Sequence, residues 1–197
     1  MAGGVFRRQM TMFTKPLTEL EYADVEAFCT GSPLPEGPLV EYKSGFPDKL
    51  EKSIASFANT YGGVIVMGVH APSPSNTPCL PIEGMDHDTG IEERITEICL
   101  CNIFPPVIPD VRVLKIPEKS GKCVTVVRVH DSLIGPHAID KNSRVYVRVN
   151  SVSHPIQLAD LDRVRWLHDR RERAISLRQQ LHAEVEDVFA MSPKDTN

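Results

Sequence analysis

No stretch of this chain is both long and apolar enough to make a membrane-spanning helix. The longest apolar run, Val64–Val69, has the length of a strand. The opening MAGGVFRRQMTMFTK carries two arginines but no apolar core of the kind a secretory signal needs, so a cytoplasmic protein is expected. Cysteine is scarce and irregular: Cys29, Cys79, Cys99, Cys101 and Cys123 are odd in number and form no Cys-x-x-Cys pair. That excludes a disulfide framework and a zinc finger, and it predicts reduced thiols that mostly fill core. No Gly-x-x-x-x-Gly-Lys-Ser/Thr occurs; Gly121-Lys122 runs into Cys123, which excludes a P-loop ATPase. Nor is there the charge of one sign that marks a strong nucleic-acid binder, since the formal net charge is −4.

That average conceals a split. Residues 1–100 hold 7 Lys/Arg against 14 Asp/Glu, and residues 101–197 hold 15 against 12. With 197 residues, 41% of them hydrophobic, the chain suits one domain and an appendage. Residues 1–16 read as a flexible leader, 17–168 as the domain, and 169–197 as a C-terminal helix and tail. Residues 18–29 predict a helix, with Thr18 as cap and Glu21 completing a capping box. Leu39–Lys43 predicts a strand with Leu39, Glu41 and Lys43 on one face and Val40 and Tyr42 on the other. Pro47 is placed to open a helix that buries Leu50, Ile54, Phe57 and Ala58 and stops at Gly62-Gly63. Val64–Val69 reads as a central strand, 71–81 as a loop, and Ile91–Cys101 as an amphipathic helix. Val111–Ile116 and Lys122–His130 alternate about a PEKSG turn, and Arg144–Val149 alternates again. A helix with a thin apolar stripe follows, from about Leu158 to Ala190. Interleaved helices and strands predict an α+β (mixed α/β) fold: a mixed sheet flanked by helices, with a long C-terminal helix.

Three groups of residues suggest chemistry. Glu41-x-Lys43 sets a carboxylate and an amine on alternate positions of one strand, with Glu36 five residues earlier. Such a pair can hold a metal-bound phosphate, or be a surface ion pair. Asn59-Thr60-Tyr61-Gly62-Gly63 forms a tight helix exit whose N–H groups can face an anion, or simply close the helix. Arg144, Tyr146 and Arg148 share a strand face that can grip phosphates and stack a base; Arg112, Lys115, Arg128 and Lys141 extend it if their strands are neighbours. A solvated sheet face is the plain alternative.

Together these residues resemble one family. Glu36…Glu41-Tyr42-Lys43, then Ser56-Phe57-Ala58-Asn59-Thr60-Tyr61-Gly62-Gly63, then a strand ending Met67-Gly68-Val69, are similar to the Schlafen/AlbA-like domain. Val145-Tyr146-Val147-Arg148-Val149-Asn150-Ser151-Val152-Ser153 is similar to a later segment of that family, with Asn150 where glycine is usual. The resemblance covers roughly residues 18–170, and it implies a nucleic-acid-binding domain that recognises the backbone of DNA or RNA in a regulatory or RNA-handling role. Some relatives are endoribonucleases that cut tRNA and rRNA with three carboxylates and Mg or Mn. Two of those carboxylates match Glu36 and Glu41, and the accompanying lysine matches Lys43. At the third, this chain has Ala71. The expected function is therefore binding without chemistry. A metal-dependent endoribonuclease is the alternative and a protein–protein adaptor the second. No cofactor is required by the first reading. Because the family's core pairs two lobes and this chain has one, a homodimer built on the long helix is expected.

Overall fold

The computed structural model describes residues 12–30, 33–139, 144–155 and 161–191. Among the described residues there are four α-helices of eight residues or more and nine strands, and the strands form two sheets. The main sheet contains β1 (Val40–Lys43), β2 (Gly63–Met67), β3 (Met85–Asp86), β5 (Asp110–Lys115) and β6 (Lys122–Val129). The small sheet runs β4 (Ile103–Phe104), β7 (Ala138–Ile139), β8 (Arg144–Val149) and β9 (Val152–Pro155).

Strand β6 organises the main sheet. It pairs antiparallel with β5 along one edge, and along the other with β2 and then with the two residues of β3. Its valines are buried on both faces, Val124 and Val126 on one side and Val127 and Val129 on the other, where the sequence reading expects alternation. β1 lies parallel to β2, with Glu41 opposite Ile65 and Lys43 opposite Met67. A parallel pair needs a crossover, and α2 (Leu50–Ala58) supplies it.

Alternation divides the core in two. Val40 and Tyr42 face a cluster with Met12, Phe28, Val64, Val66 and Val126, covered by α1 (Tyr22–Cys29). Ile65, Met67 and Val127 face the opposite cluster, covered by α2 and by α3 (Ile91–Asn102). The small sheet packs against α2 on that second side, where Tyr146 and Ile139 enter the core. A long α4 (Leu161–Met191) follows it.

Several local expectations shift. Residues 17–19 form a 3-10 turn, and α1 begins at Tyr22, where Asp24 accepts the Glu21 N–H at 2.9 Å; Thr18 is not its cap. The second helix starts at Leu50 rather than at Pro47, because Asp48 and Lys49 form a turn first. The short strands β3, β4 and β7 and the returning strand β9 are additions to the sequence reading. The PEKSG turn, the 71–81 loop and the third helix fall where the sequence places them. All five cysteines are free, and Cys29, Cys99 and Cys123 are buried. Among the described residues no helix is long and apolar enough to cross a membrane.

Candidate functional site: a buried carboxylate among cations

Glu41 lies on the α2 face of the main sheet and is only 4% exposed. Strand alternation puts Lys43 on the same face, and its Nζ sits 2.7 Å from Glu41 Oε1. The same oxygen accepts a hydrogen bond from Ser53 Oγ of α2 at 2.8 Å. Glu41 Oε2 is held by Arg148 of β8. Burial by itself would push the Glu41 carboxyl up. Arg148, Lys43 and Ser53 more than offset that and hold it below the usual carboxylate range.

Arg148 is fully committed. Its Nε donates to Gly37 O at 3.0 Å and its Nη2 to Val40 O at 3.3 Å, while its guanidinium stacks 4.7 Å from the Phe57 ring centroid. The expected exposed face of Arg144, Tyr146 and Arg148 therefore does not exist as such. Arg148 is 5% and Tyr146 8% exposed, because the face they share is turned into the body against α2. Arg144 alone of the three is exposed. Tyr146 nevertheless carries a cation near its ring, with Lys52 Nζ 4.9 Å from the centroid.

The other basic residues separate. β5 and β6 belong to the main sheet and β8 to the small one, so Arg112 and Arg128 do not extend the β8 face. Both lie at positions on the α1 side of the sheet, and Arg128 donates to Met12 O and Lys15 O at 2.7 and 2.9 Å. Alternation assigns a residue to a face of its own strand, but not to a sheet. Lys141 lies outside the described residues.

The Asn59–Gly63 turn works as a latch. Asn59 Nδ2 donates to His137 O and to Tyr146 O, both at 2.8 Å, and Asn59 Oδ1 accepts the His137 N–H at 2.8 Å. Thr60 Oγ1 accepts the Arg148 N–H at 2.8 Å and donates to Ser56 O at 2.7 Å. Ser56 Oγ lies 2.9 Å from Ser153 Oγ on β9. One helix terminus thus holds β8, β9 and His137, the residue just before β7. Gly62 has φ +70°, and a Cβ there would stand 2.6 Å from Val129 O; at Gly63 it would stand 2.5 Å from the Phe57 ring. The Gly62 N–H bonds Phe57 O and the Val64 N–H bonds Leu39 O, so these amides serve the turn and the sheet.

The residues matched to a metal site do not fit one. Glu36 Oε1 accepts the Tyr42 N–H at 2.9 Å. Both Glu41 oxygens are occupied by cations and a hydroxyl, and a divalent ion would have to displace Arg148 or Lys43 against their charge. Position 71 is an alanine packed against the core. Among the described residues no group of three or more His, Cys, Asp or Glu is arranged to hold a metal ion.

Sequence reasoning missed Ser53, Lys52, Trp166 and Arg170, and named Tyr61 only as a member of the helix exit. Arg170 donates from α4 to Thr60 O at 2.8 Å and to Ser132 O at 2.6 Å. Ser53 and Lys52 carry a retrospective signal, since they lie on the first turn of the helix that directly follows Glu41-x-Lys43.

Residues 36–157 match the sequence profile of a family described as Schlafen, AlbA_2. The match begins at Glu36 and includes Glu41, the latch and Arg148. No curated protein matches the chain. Among solved structures, the chain is similar to the solution NMR structure of the N-terminal domain of a RecG-related protein from Nitrosomonas europaea. Identity is 18%, the TM-score is 0.36, and the match covers 47% of this chain and 61% of that one.

Proposed function

The chain belongs to the Schlafen, AlbA_2 family, and on that premise we propose that it binds the phosphate backbone of nucleic acid, in a regulatory or RNA-handling role, without cutting it. The observation that carries this reading is the charge count around Glu41. One carboxylate meets two cations at contact distance, Arg148 and Lys43, so these three side chains together carry one excess positive charge, with the Glu36 carboxylate beside them on the Tyr42 N–H. Lys52 adds a third cation through Tyr146, a residue of the same strand as Arg148. The Lys43 side chain is 36% exposed and brings the excess to the surface, and Arg144 adds an exposed charge on β8. Such a cluster favours an anionic ligand over a metal cation. Phosphates of DNA or RNA are the anions that the family relation suggests.

The test is equilibrium binding of a fluorescein-labelled single-stranded oligonucleotide, read by anisotropy at low salt. The wild-type protein is expected to bind. Lys52→Glu is expected to weaken binding at least tenfold without unfolding the domain, because among the described residues the Lys52 side chain makes a cation–ring contact with Tyr146 and no hydrogen bond. Equal binding by the variant removes this surface from the account.

We further propose a homodimer formed through α4. Leu167 and Ala174 of this helix are buried against the body, and the same stripe continues onto Leu177, Leu181 and Val185, which are 59%, 59% and 47% exposed. The charges along the helix sequence are biased: before Leu181 the arginines (Arg163, Arg165, Arg170, Arg171, Arg173 and Arg178) outnumber the acids Asp162, Asp169 and Glu172, while the charged residues from Leu181 to Met191 are Glu184, Glu186 and Asp187. Two antiparallel copies would set basic half against acidic half. Sedimentation equilibrium is expected to give a dimer for wild type and a monomer for Leu177→Lys/Leu181→Lys. A wild-type monomer at micromolar concentration would refute the dimer.

A further inference from the structure

A cavity of about 250 Å³ opens where α4 crosses the end of α2. Val147 and Leu167 give it apolar lining, and both are nearly buried. Tyr61, 69% exposed, and Trp166, 39% exposed, also line it. Arg170 approaches the Trp166 ring, with its guanidinium carbon 5.6 Å from the centroid. The remaining polar groups are spent. Asn59 uses its amide nitrogen and its oxygen on His137 and Tyr146, and Thr60 Oγ1 both accepts and donates.

An exposed tyrosine and a part-exposed tryptophan at one opening need an explanation. Tyr61 sits between Thr60 and Gly62 in the latch, where the turn requires a particular backbone but no aromatic side chain. Its ring gains little from burial at that exposure. The cavity is also joined to the cation cluster by a shared residue: Arg148 lines it and, at its guanidinium end, holds Glu41 beside Lys43.

We propose that this cavity takes one unpaired nucleobase, stacked on Trp166 and Tyr61, from a single strand whose phosphates lie on the Lys43–Lys52 cluster. The inference rests on the backbone-binding reading and adds to it strandedness and a base subsite. Aromatic faces stack any base, and the committed Asn59 and Thr60 leave little hydrogen-bonding capacity for telling bases apart. The subsite therefore distinguishes single strands from duplex, and discriminates weakly among sequences. A paired base is stacked within its helix and cannot enter.

The chain contains one tryptophan, so intrinsic emission reports this site directly. The probes are labelled oligodeoxythymidine, an abasic oligonucleotide of equal length and charge, and a duplex. Thymidine oligomer is expected to quench Trp166 emission, while abasic strand and duplex leave it unchanged. Tyr61→Ala is expected to weaken the thymidine oligomer by about tenfold and to leave abasic binding as it was. Tyr61 is exposed, so the variant should fold, and circular dichroism checks this. Equal affinity for thymidine and abasic strands with no change in emission overturns the base subsite and leaves backbone binding standing. Anisotropy showing no binding of any of the three overturns both.

Discussion

Arg148 and Glu41, 107 residues apart in sequence, form an ion pair whose side chains are only 1% and 6% exposed, and this pair ties the small sheet to the main one. β8 and β1 belong to different sheets. A buried pair of this kind is a weak source of net stability, but its loss leaves an uncompensated charge.

Arg148→Ala should therefore destabilise the domain by about 3–5 kcal/mol. Urea unfolding monitored by circular dichroism measures it. The double variant Glu41→Leu/Arg148→Met should recover part of that loss and no more, because Gly37 O and Val40 O also lose the guanidinium. A double variant as unstable as the single one would mean that the ion pair is not the source of the effect.

The pH dependence has a definite sign. Burial would raise the Glu41 carboxyl, but Arg148, Lys43 and Ser53 hold it below its ordinary value of 4.5. A group whose folded pKa is lowered contributes its stabilisation fully above the unfolded value and loses it as pH falls through the folded one. Unfolding free energy should therefore decline as pH drops below 4.5, and decline less steeply in Glu41→Gln. Parallel curves for the two proteins would contradict the assignment.

Asn59→Ala removes the latch while leaving the main sheet intact. His137 N–H, His137 O and Tyr146 O lose their Asn59 partner, at about 1–3 kcal/mol for each group left unsatisfied. Hydrogen exchange should accelerate across residues 137–139 and 144–149 while β2 and β6 stay protected. Uniform acceleration across both sheets would show that they open as one unit.

Metal should have no effect. A ligand that binds the folded state raises its melting temperature, and the Glu41 oxygens are already occupied. Millimolar Mn²⁺ or Mg²⁺ should leave the melting temperature unchanged and total tRNA intact. Cleavage that disappears in Glu41→Ala would reverse this conclusion.

The sequence made part of this legible. A period of two put Glu41 and Lys43 on one face, and the turn chemistry of Gly62-Gly63 located the helix exit, because both are local properties. The roles of Arg148 and Asn59 depend on partners more than 75 residues away, and no local pattern announces them. Alternation correctly grouped Arg144, Tyr146 and Arg148, but could not tell that the shared face turns inward. Two-residue strands such as β3, β4 and β7 are too short to leave a periodic signal.

The most direct test of the account is the salt dependence of oligonucleotide binding. Each phosphate neutralised by a lysine or arginine releases counterions, so log K should fall linearly with log salt, and Lys52→Ala should reduce the slope by about one. A flat salt response, or a slope unchanged by Lys52→Ala, would contradict the claim that this cation cluster holds a phosphate backbone.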